Sequence, residues 1–137
     1  MGLTILLDWI CPPFPLPLNY NKQLKWVTAY VSASTISDLY YIIRKSQGKE
    51  LAIEFIVNLT TICQIAAVDS LVISMALNVN FKDFEDAIQY STAVVNNLDA
   101  IVTRNPQDFP VQTLRILTPN QLIQVVEQQI DLKKDKN

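Results

Sequence analysis

Acidic side chains recur where helices begin or strands end. In "FKDFEDAIQY" (81 to 90), Asp83, Glu85 and Asp86 fall within four positions, beside Phe81 and Phe84. Such a group either builds the acidic first turn of a helix or supplies carboxylates to a metal ion. As a helix start, Asp83 is the cap and Asp86 favours the positive end of the helix dipole. Asp86 also lies off the apolar stripe of that helix, as a solvated residue would. A helix that crosses back over a sheet can still overlook the strand ends, so capping and metal binding are compatible there. Asp38 sits in "ISDLYYII" (36 to 43), where few polar side chains surround it. That helix reads as largely buried, and a carboxylate in it requires a cation, a hydrogen-bond partner or a shifted pKa. A solvent-facing Asp38 is the competing reading. In "IVTRNPQDF" (101 to 109) a strand delivers Thr103, Arg104 and Asn105 to its end, and Pro106 stops it. Asn105 could give an amide oxygen and Asp108 a carboxylate to one ion; the plainer alternative is an Asn-Pro turn.

Composition narrows the chemistry further. The chain has no histidine, which excludes Ser-His-Asp or Cys-His machinery and histidine-ligated zinc. The remaining ligand types are oxygen donors, which favour magnesium or manganese. Cys11 and Cys63 make neither a disulfide framework nor a zinc site, and a reducing cytoplasm is the default expectation. A net charge of −2 argues against a broad basic footprint on nucleic acid. It is compatible with a small site whose acids are offset by bound metal.

The elements that must position these residues alternate. With 137 residues, half of them hydrophobic, and only two glycines, the chain has the size and composition of one folded domain. "LTILL" (3 to 7), "TAYVS" (28 to 32), "CQIAAV" (63 to 68), "DAIVT" (99 to 103) and "LRIL" (114 to 117) read as strands. Helical spacing marks 34 to 47, with Ser34 as cap and Gly48 after the end. It recurs over 49 to 62 through Leu51, Phe55, Ile56 and Leu59, and a short helix fills 70 to 79. In the helix after Asp83, residues Phe84, Ala87, Ile88, Ser91, Val95 and Leu98 share one face. A last helix opens at Thr118 and Pro119. The alternation predicts an α/β fold with three layers, α/β/α, around a doubly wound parallel sheet. Its sites belong just after residues 7, 32, 68, 103 and 117, beyond the carboxyl ends of the strands. One domain is expected over 1–130, with an irregular segment at 9–26, where four of the seven prolines fall between positions 12 and 17. Residues 131–137 read as a charged flexible tail. No apolar run is long enough to span a membrane, and the N-terminus reads poorly as a signal peptide.

In order and spacing, "ASTISDLYYIIRK", "FKDFEDAIQYSTA" and "DAIVTRNPQDF" resemble a PIN domain over about Val27 to Leu122. The resemblance is to the bacterial branch found as the toxin component of toxin–antitoxin pairs. It implies a metal-dependent ribonuclease whose acids surround one or two Mg²⁺ or Mn²⁺ ions. By that resemblance, Asp38 takes the place of the acid in the helix after the second strand, and Asp86 that of the aspartate opening the long helix. Asn105 and Asp108 match the family's turn, in which many members carry aspartate at the place of Asn105. The family's first strand ends in Asp-Thr-Asn or similar, and that aspartate is a principal ligand. Asp8 after "TILL" fits this place, with Trp9 and Ile10 replacing the polar pair and prolines where a helix is expected. In an alternative alignment one step later, Gly2 stands there instead.

The resemblance thus implies catalysis and metal binding by Asp8, Asp38, Asp86 and Asp108, with Asn105 as a neutral ligand. Thr103 would hold a water or phosphate oxygen, and Arg44, Lys45, Lys82 and Arg104 would meet the RNA backbone. An antitoxin protein is the implied partner, and a homodimer is a further expectation. Asp38, Asp86 and Asp108 are expected to converge on one pocket and to raise at least one pKa by mutual repulsion. With its altered beginning, the isolated chain is expected to show weak or absent nuclease activity. A catalytically impaired PIN-like binding module, and a pure oligomerisation module, are the competing classes.

Overall fold

The structure is a computed structural model and describes residues 2–8 and 26–135. The irregular proline-rich stretch, apart from Trp26, lies outside the described residues.

Five strands form one parallel sheet: β1 (Leu3–Leu7), β2 (Val27–Ser32), β3 (Gln64–Ala66), β4 (Ala100–Val102) and β5 (Arg115–Leu117). Their order is β3-β2-β1-β4-β5. The apolar run of β1 takes the centre because a strand covered on both faces must be apolar throughout. Ile5 pairs in register with Ala29 and Ala100, and Leu6 with Tyr30 and Ile101. Successive side chains point to opposite faces. Leu3, Ile5 and Leu7 therefore serve one core, and Leu6 serves the other.

Helices cover both faces, as expected for three layers. On the Ile5 side lie α1 (Ala33–Gln47), α2 (Lys49–Ile62) and α5 (Pro119–Lys134), through Leu39, Leu59, Leu122 and Val126. On the Leu6 side lie α3 (Ser70–Asn78) and α4 (Phe84–Val95), through Met75, Tyr90 and Ala93. Gly48 takes φ 95°, a left-handed conformation that L side chains rarely adopt, and so separates α1 from α2. Its N–H bonds the Arg44 carbonyl at 3.0 Å. The Thr118 cap of α5 is a complete capping box with Gln121, with Pro119 in the first turn. This helix runs to Lys134, well into the charged stretch read as a tail, and Lys133 Nζ lies 3.3 Å from the centre of the Trp26 ring. Among the described residues, no helix is long and apolar enough to cross a membrane.

Three local readings are corrected. Ser32 caps α1 in place of Ser34, accepting from the Thr35 N–H at 3.2 Å. The buried side of α2 is Ala52 and Leu59, and Leu51 is exposed. Helix α1 buries only Leu39 and Ile43, with Tyr41 and Ile42 open, so apolar composition there does not mean burial all round.

Candidate active site

The order of strands places a crevice where β1 and β4 meet, since the chain builds outward from β1 in both directions. Asp8 leaves β1 at this point, its N–H bonded to the Val102 carbonyl at 3.0 Å. Thr103 leaves β4 beside it and is held in turn by the Leu117 carbonyl of β5. The Thr103 hydroxyl donates to Asp8 Oδ2 at 2.9 Å and accepts from the Asn105 N–H at 3.1 Å. From above, Gln89 of α4 donates through Nε2 to Asp8 Oδ1 at 3.2 Å, with Thr35 Oγ1 at 3.5 Å from the same nitrogen. Thr35 shares a 2.9 Å hydrogen bond with Ser32, which shares another of 2.9 Å with Ser34. A polar belt thus runs over the ends of β2, β1 and β4 with the Asp8 carboxylate at its centre.

Above the belt opens a cleft of about 550 Å³. Asp8, Asp38, Glu85 and Asp86 supply its acids, and Leu39, Ile42, Phe84 and Ile88 its apolar wall. The start of α4 is fixed there by Asp83, whose Oδ1 accepts from the Asp86 N–H at 3.1 Å. Phe81, just before it, packs on Tyr90 with ring centres 5.3 Å apart and on Phe109 at 6.3 Å. Burial pushes the Asp86 carboxyl up to about 6, and the charges of Asp83, Asp8, Asp108 and Glu85 add to the effect. The position of Asp86 off the apolar stripe also allowed a solvated reading. The residue is instead half-buried, because α4 sinks Ala87, Gln89, Tyr90, Ser91, Thr92 and Ala93 and leaves Phe84 exposed.

Of the acids named from sequence, Asp8, Asp38 and Asp86 line this one cleft. Asp38 is exposed and faces it from α1, without the burial its apolar neighbours suggested. Asp108 ends the 3-10 turn Pro106–Asp108, outside the cleft wall yet near enough for its charge to act on Asp86. Phe109, buried next to it, anchors that turn. Asn105 is exposed and joins the belt through its backbone N–H. Thr103 is buried with its hydroxyl engaged on Asp8, which gives it a positioning part and no open face toward solvent. Gly2 precedes β1 at the opposite edge of the sheet, where an added Cβ would meet the Trp26 carbonyl at 3.0 Å. The acid at the carboxyl end of β1 is therefore Asp8. Lys82 is exposed beside the α4 cap, and Arg104 is exposed just after Thr103. Arg44 and Lys45 line a separate depression with Tyr41.

Gln89 and the Ser32–Ser34–Thr35 hydroxyls were not anticipated as site residues. Gln89 stands three positions after Asp86, one helical turn away, and that spacing would have found it. Among the described residues, no three acids or cysteines form a preassembled metal cage. The donors are all hard oxygens, and the buried Gln89 Oε1 lacks a hydrogen-bond partner. Such a set suits a Mg²⁺-like ion, which keeps several of its waters and takes only one or two carboxylates.

Known proteins share this architecture. VapBC2 from Rickettsia felis, solved bound to a DNA fragment from its promoter, superposes with a TM-score of 0.69 at 18% identity. The match covers 85% of this chain and 98% of that one. DNA-bound VapBC from Salmonella typhimurium gives 0.67 at 16% identity, covering 86% and 98%. VapBC-1 from nontypeable Haemophilus influenzae gives 0.65 at 16%, covering 85% and 97%. At such identities the likeness is one of fold. No curated protein matches the sequence. Residues 21–107 match the PIN domain family, a stretch that holds Asp38, Asp86 and Asn105 and begins after Asp8. The match takes in more than half of the chain, which therefore belongs to the PIN domain family.

Proposed function

We propose that this protein is a Mg²⁺- or Mn²⁺-dependent ribonuclease, the toxin component of a toxin–antitoxin pair. The observation that carries this reading is the meeting of Asp8, Asp38 and Asp86 in one cleft at the carboxyl edge of a PIN-type sheet. These three carboxylates would hold the cation, with Asp108 and Asn105 flanking it from the 3-10 turn. When bound, the cation supplies a lowered pKa for water and stabilises charge on the phosphate. Thr103 and Gln89 hold Asp8 by one hydrogen bond to each oxygen, which leaves further lone pairs for the cleft. Lys82 and Arg104 would meet the RNA backbone near the cleft, and Arg44 and Lys45 farther along it from their separate depression.

An antitoxin protein, or a second copy of the chain, would cover exposed apolar residues of α1 and α2 such as Tyr41, Ile42, Ile53 and Val57. The solved relatives are themselves VapBC proteins. We place the protein in the cytoplasm, where RNA and a reducing environment meet. Asn105, standing where many members of the family carry aspartate, favours a second reading, a PIN-like binding module without turnover. It also accords with weak activity, and a low metal affinity, in the isolated chain.

A ribonuclease assay with Mn²⁺ tests the proposal. Cleavage that is removed by a chelator and lost in Asp86→Asn and Asp8→Asn is the expected result. Mn²⁺ binding with no cleavage of any RNA would favour the binding module.

A further inference from the structure

Gln89 is only 7% exposed, yet it forms part of the wall of the acidic cleft. The two ends of its amide are treated differently. Nε2 donates to Asp8 Oδ1 and lies near Thr35 Oγ1, while Oε1 is buried with no hydrogen-bond partner. Rotating the amide does not solve this. An ionised carboxylate only accepts, so the nitrogen must face Asp8 and the oxygen must face away. A buried amide oxygen without a donor is unfavourable, and each such group calls for an explanation. Thr103 does not relieve it, since its proton goes to Asp8.

We infer that Gln89 is a positioning residue for the cation in the cleft. Its nitrogen fixes the Asp8 carboxylate, together with Thr103, and the unpartnered oxygen follows from holding the amide in that orientation. One side chain thereby couples the carboxylate at the end of β1 to the helix that carries Asp86. The inference rests on the metal-dependent reading given above. Outer-shell partners of this kind orient ligands and tune affinity.

The test is calorimetry with Mn²⁺ alone on the wild type, Gln89→Leu and Ser91→Ala, paired with thermal unfolding with and without Mn²⁺. Ser91 is the control: it is on the same helix, buried, equally without a partner, and outside the cleft wall. Gln89→Leu should weaken Mn²⁺ binding about 10- to 100-fold and shrink the rise in Tm on adding Mn²⁺. Ser91→Ala should change neither. Should Gln89→Leu fail to fold, the unbranched Gln89→Met serves the same comparison. If the wild type binds Mn²⁺ and the Gln89 variant binds it equally well, the inference is wrong and the nuclease reading stands. Equal weakening by Ser91→Ala would reduce Gln89 to a packing role and also overturn it. A wild type that binds no Mn²⁺ would remove both.

Discussion

Asp86 carries a charge that its surroundings oppose. Its folded pKa rises from 3.8 to about 6, chiefly through burial and then through Asp83, Asp8, Asp108 and Glu85. The folded protein therefore binds this proton more tightly than the unfolded chain does. Stability gained from protonation is present below about 3.8 and is lost as pH rises toward about 6. Asp86→Asn should accordingly stabilise the metal-free protein at pH 7, with the gain vanishing below about 3.8. Thermal unfolding of both proteins across pH checks this, and a gain independent of pH would refute it. A cation competes for the same carboxylate, so Mn²⁺ affinity should fall as pH drops through about 6. At this scale the acids were legible, because carboxylates near strand ends have few structural reasons to gather. The sequence concealed Gln89, since an amide in a helix has no charge to betray it and its value lies in one contact to Asp8. It left the burial of Asp86 open, since that depends on how deeply α4 sinks into the fold.

At the scale of elements, the turn from β2 into α1 is fixed by Ser32, a buried hydroxyl that accepts from the Thr35 N–H and pairs with Ser34 and Thr35. Ser32→Ala should cost about 1–2 kcal/mol, measured by urea unfolding, since the cap is lost and its buried partners are left short. Ser34→Ala, at the position first read as the cap, should cost less. The end of α2 offers a second check. Cys63 is buried against Val31, Leu39 and Leu59, and burial pushes its thiol up to about 11. It should resist alkylation by iodoacetamide in the folded protein and react on unfolding; rapid labelling at Cys63 itself in the native protein, read by peptide mass, would contradict this packing. Both elements were visible from periodicity, and so were all five strands. Caps and buried faces were less so, because they depend on which side of a helix meets the sheet. Leu51 fits an apolar stripe as well as Ala52 does, and only tertiary packing, chiefly of α2 on α1, decides that Ala52 goes inside.

Across the whole molecule, one sheet divides the interior into separate cores, and β1, the central strand, serves both faces. Leu6 is 0% exposed and packs with Tyr90, Ala93, Leu98 and Ile101, while Ile5 faces the opposite core. The same strand ends at Asp8, so the integrity of the cleft depends on the packing of the sheet's centre. This position was legible because a five-residue run without a polar face other than Thr4 fits nowhere else in a parallel sheet. Leu6→Ala leaves a cavity that rigid strands on either side cannot close. It should lower stability by about 2–5 kcal/mol, seen as a lower urea midpoint with an unchanged m-value. Leu77, which is 70% exposed on α3, is the comparison. The same truncation there should move stability by less than about 0.5 kcal/mol. Similar losses at both positions would mean that the interior is not organised around β1. The reason for placing Asp8 at the head of the cleft would then go with it.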